Sequence, residues 1–312
     1  MTFVQLEYIV ALAQHRHFAK AAKKCFVTQP TLSMQIQKLE KELGIQIFDR
    51  SKQPVIPTDA GAAIVEQAQK ILVARNSLHE IADNQKGILT GKLNIGIIPT
   101  LAPYLIPLFV KNFTQKFPLV KMSIHEMMTE FIINRLREGS IDVGILVTPL
   151  QEKGIKEHIL FYEELLVYAA ENHPALKKQY VQIEDIDPTK LWLLQEGHCF
   201  RSQIANLCKL RTASETATHF NYEAGSIETL KRMVDMNDGI TILPELSSLD
   251  MNFEQQQQIR HFKKPAPMRE VSLVVNRDYI KKNLIEALKS EIISAIPPKI
   301  INNKNISVVP IF

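Results

Sequence analysis

The sequence predicts an all-α amino-terminal domain with a small wing, one long helix, and a carboxy-terminal α/β domain of two lobes. Three observations predict it. Apolar residues recur at helical spacing from Phe3 to Leu43, and again as a narrow stripe beyond residue 59. From Lys92 onward, strand-like apolar runs alternate with helical ones, the order of an α/β domain expected to hold mostly parallel sheet. At 312 residues and 46% hydrophobic content, the chain has the apolar mass for more than one core.

Phe3, Leu6, Ile9, Val10 and Ala13 define a first amphipathic helix, and residues 18–24 a short second one. Thr28 is placed to cap a third helix with Pro30 in its first turn, and Gly44 is placed to end it. Leu32, Ile36, Leu39 and Leu43 form its buried stripe. Gln29, Thr31, Ser33, Met34 and Gln35 face away from that stripe and reach base edges without burying a fixed charge, as in a recognition helix. Residues 45–48 and 55–56 read as two short strands. Arg50, Ser51, Lys52 and Pro54 join them into a basic wing suited to phosphate. Residues 1–58 therefore read as a winged helix-turn-helix. Arg16, Lys20, Lys23, Lys24, Lys38, Lys41, Arg50 and Lys52 outweigh Glu7, Glu40, Glu42 and Asp49, a balance that favours a polyanion; beside such a helix the expected one is double-stranded DNA.

Over residues 59–87, Ile64, Ala68, Ile71, Leu78 and Ala82 recur at gaps of four and three, with Arg75 interrupting the seam. This predicts a helix about 40 Å long at 1.5 Å per residue, suited to pairing with a second copy of the chain. Gly87 and Gly91 mark a hinge into an effector domain over residues 88–300. Its first lobe takes about 88–161 and 268–300, and its second about 162–267. The strand-like runs are "KLNIGII", "VKMSIHE", "IDVGILV", "ELLVYAA", "KLWLLQ", "HFNYEA", "GITILP" and "EVSLVV". Helices are expected over 101–113, 129–137 and 279–296. Pro99-Thr100, Met128-Thr129, His198-Cys199 and Gly225-Ser226 each place a small polar or thiol side chain at a helix start, and their convergence would make a cleft for a small polar ligand. The tail, 301–312, receives no role.

Three cysteines exclude a disulfide framework as the source of stability. Cys199, at an expected helix start beside Arg201, is in a setting that favours thiolate. Its sulfur is then able to attack a peroxide, giving a sulfenic acid that a second thiol, Cys208, condenses with. Nine positions separate the two cysteines, a rise of about 13 Å on a helix, whereas a disulfide needs Cα atoms within about 7 Å. Bonding them would rearrange the helix expected over 200–207. Read alone, the pair is open to the bland interpretation of two small buried residues, the commoner one for an arbitrary cysteine pair. Cys25, among apolar neighbours, is assigned to the core.

The segment "FAKAAKKCFVTQPTLSMQIQKLEKELGIQIFDR", followed by "PTDAG", resembles the winged helix-turn-helix of LysR-type regulators. The resemblance implies that Thr28 through Gln35 enter the major groove and that the long helix dimerises. It also implies a periplasmic-binding-protein-like effector domain, tetramers, and RNA polymerase as a partner. "GHC" with "FRSQIANLC", "GIIPT" ending at Thr100 and "HEMMT" ending at Thr129 are similar to peroxide-sensing members of that family. What this implies is an activator switched by hydrogen peroxide. Cys199 would be the peroxidatic cysteine and Cys208 the resolving one, joined in a reversible disulfide, with Thr100, Thr129, His198 and Ser202 in the peroxide pocket. Ser202 stands where those members often carry Asp, so it relays a proton only through a hydroxyl. Arg269, in "PAPMRE", is given no role. No metal, cofactor or enzymatic turnover is expected. With no long apolar run and no signal-like start, a cytoplasmic protein that avoids membranes is expected. The competing readings are a family member sensing a metabolite, a thiol peroxidase, and a solute-binding protein disfavoured by the missing export signal.

Overall fold

The computed structural model describes residues 1–84, 89–208, 224–277, 279, 281–301 and 307–311. The chain divides into two units, residues 1–88 and 89–312, each with its own apolar core.

In the first unit, α1 (Phe3–His15), α2 (Phe18–Lys24) and α3 (Gln29–Leu43) enclose Leu6, Ile9, Leu12, Leu32, Ile36 and Leu39. The Thr2 side chain caps α1 and the Thr28 hydroxyl caps α3, while Gly44 ends α3 at φ 66°. The wing is β1 (Phe48–Asp49) antiparallel to β2 (Ile56–Pro57). The strand expected from residue 45 starts only at Phe48, because the Glu40 carboxylate accepts the amides of Ile47 and Phe48 at 2.9 and 3.2 Å.

Helix α4 (Asp59–Asn84) begins against the wing. The Thr58 hydroxyl donates to the Gln46 carbonyl at 2.7 Å and accepts the Gly61 amide at 2.9 Å. A Cβ on Gly61 would lie 1.9 Å from the Ile47 carbonyl oxygen, so only glycine permits this approach. Gly61→Ala is expected to destabilise the first unit by about 1–3 kcal/mol and to weaken DNA binding; thermal melting and a binding titration check it. Further along, Val65 and Ala68 are buried in the unit's own core and Ile64 and Ile71 pack on it, so this half of the stripe is used internally. Arg75 bonds Glu7 at 2.8 Å and lies over the Phe3 ring, which accounts for its place in the seam. Leu78 is two-thirds exposed, and the Ala82 side chain lies outside the described residues.

The second unit starts with β3 (Gly91–Ile97), α5 (Ala102–Lys116), β4 (Val120–Glu126), α6 (Thr129–Arg137) and β5 (Val143–Thr148). Next come β6 (Ile155–Ala169), β7 (Tyr180–Val181), α7 (Cys199–Leu207), α8 (Ile227–Met236), β8 (Ile240–Pro244) and α9 (Phe253–Gln257). It closes with β9 (Ile259–Phe262), β10 (Pro267–Asn276), α10 (Lys282–Ala295), α11 (Pro298–Ile301) and β11 (Ser307–Val308). Strand order is β4-β3-β5-β10-β6-β9-β7, with β8 added to β6 and β11 to β10.

The sheet is mixed, not mostly parallel. β4-β3-β5 run parallel, but β10 is antiparallel to both β5 and β6, and β6 is antiparallel to β8 and β9. The cause is the return of the chain: β6 carries it from the first lobe into the second, and β10 brings it back alongside in the opposite sense. "KLWLLQ" forms only single bridges, Leu191 to Ile240 and Leu194 to Ala224, not a strand. "HFNYEA" falls largely on residues 219–223, outside the described residues. Gly144 lets α6 lie on the sheet, since a Cβ there would meet Ile132 at 2.4 Å, and this seats Thr129 at the strand ends. No helix among the described residues is long and apolar enough to cross a membrane.

Candidate functional site

The site forms where the turn after β3, the middle of β6 and the start of β10 meet. Arg269 on β10 is fully buried. Its Nε donates to Glu163 Oε1 on β6 at 2.6 Å, Nη1 to the Thr100 hydroxyl at 3.2 Å, and Nη2 to the Thr100 carbonyl at 3.2 Å. Its guanidinium stands 5.2 Å from the centre of the Phe200 ring. The second Glu163 oxygen accepts the Leu246 amide at 3.0 Å. Burial pushes the Glu163 carboxyl up, while Arg269 and the Leu246 amide pull it back. The arginine is thus locked at four points, and a buried charge is matched by a buried countercharge.

Cys199 is the first residue of α7, directly beside this arginine's stacking partner. Burial pushes its thiol up. Opposing that are the Thr129 hydroxyl, the Arg269 charge and the amides of Phe200 and Cys199 itself. The Thr129 oxygen is buried without a partner of normal hydrogen-bond geometry, yet lies close enough to favour the thiolate. Arg201, expected to act on the sulfur, instead donates to the Leu194 carbonyl at 2.7 Å; Arg269 supplies the cation. His198 is buried before the helix start, its Nε2 unpartnered, and burial lowers its pKa, which keeps the ring neutral. Ser202 is exposed one turn further along. Arg269 therefore holds Thr100 and acts on Cys199, Thr129 lies by the Cys199 sulfur, and His198 stands at the helix start, while Ser202 is exposed. Unpartnered buried atoms on Thr129 and His198 are the kind of groups that a small molecule able to donate and accept hydrogen bonds would satisfy.

At the other end of α7, Cys208 is the cap residue, its amide bonded to the Ile204 carbonyl at 2.9 Å. All three cysteines are free. Cys25 packs against the core of the first unit, and burial raises its thiol pKa. Burial pushes Cys208 up to about 11 from an ordinary 9.0. Its alkylation in the reduced protein is expected to show a pH midpoint near 11 and to return to about 9 in denaturant; mass-resolved iodoacetamide labelling across pH checks both values.

On the first unit, Gln29, Pro30 and Met34 are exposed at the start of α3, with Thr31, Ser33 and Gln35 partly so. Thr28 and Thr31 share a 2.8 Å hydroxyl contact, and the Gln35 oxygen accepts from Gln5 at 3.2 Å. Arg50 is tied to Glu40 at 2.8 Å and stacks on Phe18, whereas Lys52 is exposed.

Residues 3–62 match the family described as bacterial regulatory helix-turn-helix protein, lysR family, and residues 86–295 match the LysR substrate binding domain. The chain belongs to the LysR family. This LysR-family chain is a DNA-binding transcriptional regulator and not an enzyme. It is 39% identical over 274 residues to the DNA-binding transcriptional dual regulator OxyR of Escherichia coli K12, covering 88% of this chain and 89% of that protein. It is 38% identical, with the same coverage, to the hydrogen peroxide-inducible genes activator of Dickeya chrysanthemi. Among solved structures, full-length OxyR from Pseudomonas aeruginosa superposes with a TM-score of 0.77 at 35% identity, over 94% of this chain and 97% of that one. Reduced OxyR from Porphyromonas gingivalis gives 0.63 at 32%, over 70% and 100%. Sequence reasoning missed Arg269 and Glu163 in this LysR-family regulator. The available signal was charge set in otherwise apolar strand runs, Arg269 with Glu270 in "MREVSLVV" and Glu163 with Glu164 in "FYEELLVYAA".

Proposed function

We propose that this LysR-family regulator senses hydrogen peroxide through Cys199 and Cys208. The single observation that carries the reading is α7 itself, a helix with one cysteine at each end, whose first sulfur lies beside Thr129 and within the field of a buried arginine. The Cys199 thiolate attacks one peroxide oxygen; the S–O bond forms as the O–O bond breaks, and the departing hydroxide takes a proton to become water. Thr100, held by Arg269, and Thr129 orient the peroxide, and neutral His198 is placed to exchange a hydrogen bond with it. Cys208 then attacks the sulfenic sulfur, forming the disulfide and releasing a second water. Since α7 holds its ends about 13 Å apart, the second step requires the helix to unwind. The refolded segment is the signal.

The names of the relatives, hydrogen peroxide-inducible genes activators, support the same reading. In it, Thr28, Gln29, Pro30, Thr31, Ser33, Met34 and Gln35 face the major groove. Lys52 contacts phosphate freely, and Arg50 does so only by leaving Glu40. Exposed Leu78 on α4 joins a dimer that pairs into a cytoplasmic tetramer able to contact RNA polymerase; light scattering that finds only monomer would refute the assembly. The test of the sensor is a brief peroxide pulse followed by peptide mass mapping. The expected product is a Cys199–Cys208 crosslink, with a trapped sulfenic acid at Cys199 in Cys208→Ser. Oxidised protein without that crosslink would overturn the mechanism.

A further inference from the structure

Residues 307–311 are bonded on two sides. β11 lies parallel to the start of β10, with Ser307 opposite Pro267 and Val308 opposite Met268. The Val309 amide extends the pairing by donating to the Met268 carbonyl at 2.8 Å. From the other side, α7 reaches across: Gln203 Nε2 donates to the Val309 carbonyl at 2.8 Å, and Asn206 Nδ2 to the Pro310 carbonyl at 3.3 Å. Val309 and Ile311 are buried in the core of the unit, and Gln203 is fully buried. Among the described residues its own Oε1 has no partner, and its side-chain hydrogen bond is to the tail's carbonyl.

We propose that the groove between the edge of β10 and the Gln203–Asn206 face of α7 is a peptide-binding seat. Its occupant is the chain's own segment 307–311, and occupancy holds α7 in its helical form. Main-chain pairing to the start of β10, ahead of its pairing with β5, supplies grip, and the two buried apolar side chains supply burial. The link to α7 is geometric. Residues three apart on a helix rise about 4.5 Å and lie on one face, from which Gln203 and Asn206 reach the successive carbonyls of Val309 and Pro310; unwound, the same residues stand about 10 Å apart and cannot keep both bonds. Bringing Cys208 to Cys199 therefore costs the grip on the tail. That consequence rests on the sensor reading; the seat does not.

The experiment uses three proteins: the 312-residue chain, a chain ending at Ile306, and Gln203→Leu. At saturating peroxide, the shortened chain and Gln203→Leu are expected to form the crosslink about tenfold faster, equivalent to ~1.4 kcal/mol off the barrier. Hydrogen exchange of the α7 amides should rise in both. A labelled peptide carrying residues 307–312 should bind the shortened chain and restore the slower rate and the protection. If the shortened chain is unfolded, Gln203→Leu decides by the same two readouts. Unchanged rate and exchange in Gln203→Leu, or failure of the peptide to bind a folded shortened chain, would overturn the seat. If the 312-residue chain forms no crosslink, the sensor reading falls, and peptide binding with α7 exchange still decides the seat.

Discussion

Cys199→Ser is expected to reduce the peroxide-induced change in the DNA footprint to background while leaving the reduced footprint intact. A serine hydroxyl remains protonated near neutrality and does not open a peroxide bond, so the first covalent step disappears. Its shape is close to that of the thiol, and position 199 sits at a helix start where a hydroxyl is well tolerated, so the fold should persist. The surface proposed to read DNA, α3 and the wing, belongs to the other unit. Footprinting with and without peroxide measures both quantities in one gel. A serine variant that still switches would remove Cys199 from the mechanism.

Arg269→Met is expected to be the most damaging substitution to stability in the sensing unit. It strands the Glu163 carboxylate in the interior, a loss of about 3–5 kcal/mol in denaturant melts. The pH dependence follows from the shift at Glu163. Burial already raises this carboxyl, and without the arginine the strongest opposing influence is gone. A carboxyl whose folded pKa exceeds its unfolded value binds an extra proton on folding. The variant should therefore be most stable below about pH 4.5 and lose stability as pH rises through the raised folded value. Alkylation of Cys199 at neutral pH should slow as well, since the cation that favours its thiolate is removed. Adding Glu163→Gln to Arg269→Met separates the two effects: stability should return in part, and thiol reactivity should not. Recovery of both together would mean that Arg269 acts on the cysteine only by holding the fold.

The parts legible in the sequence were those determined by neighbours along the chain. Thr28, Pro30 and Gly44 delimit α3 through local capping, and its apolar stripe follows from a 3.6-residue period. The helix between the two cysteines was legible for the same reason. What stayed hidden depends on partners far apart in sequence. Glu163 and Arg269 are 106 positions apart, and neither has a local signal for its partner. Arg201 misled because adjacency to Cys199 along the chain does not set direction; its guanidinium turns back to Leu194. The direction of β10, and with it the mixed sheet, depends on how the chain returns from the second lobe. The tail was opaque because its partners are side-chain amide donors on one side, bonded to its own carbonyls, and a strand edge on the other, which many apolar segments are able to meet.

Strand β6 has a mechanical consequence. Ile155 to Glu164 pair with β10, whereas Leu165 to Ala169 pair with β8, so one unbroken ribbon of backbone belongs to both sheets. Glu163 and Glu164 sit at the changeover. A swing of one lobe against the other would bend the ribbon at that joint, tilting the carboxylate under Arg269 and altering the charge felt by the sulfur. Reactivity at the thiol would thereby follow the attitude of the lobes, and crosslinking the lobes in a fixed orientation should freeze the rate at which Cys199 is modified.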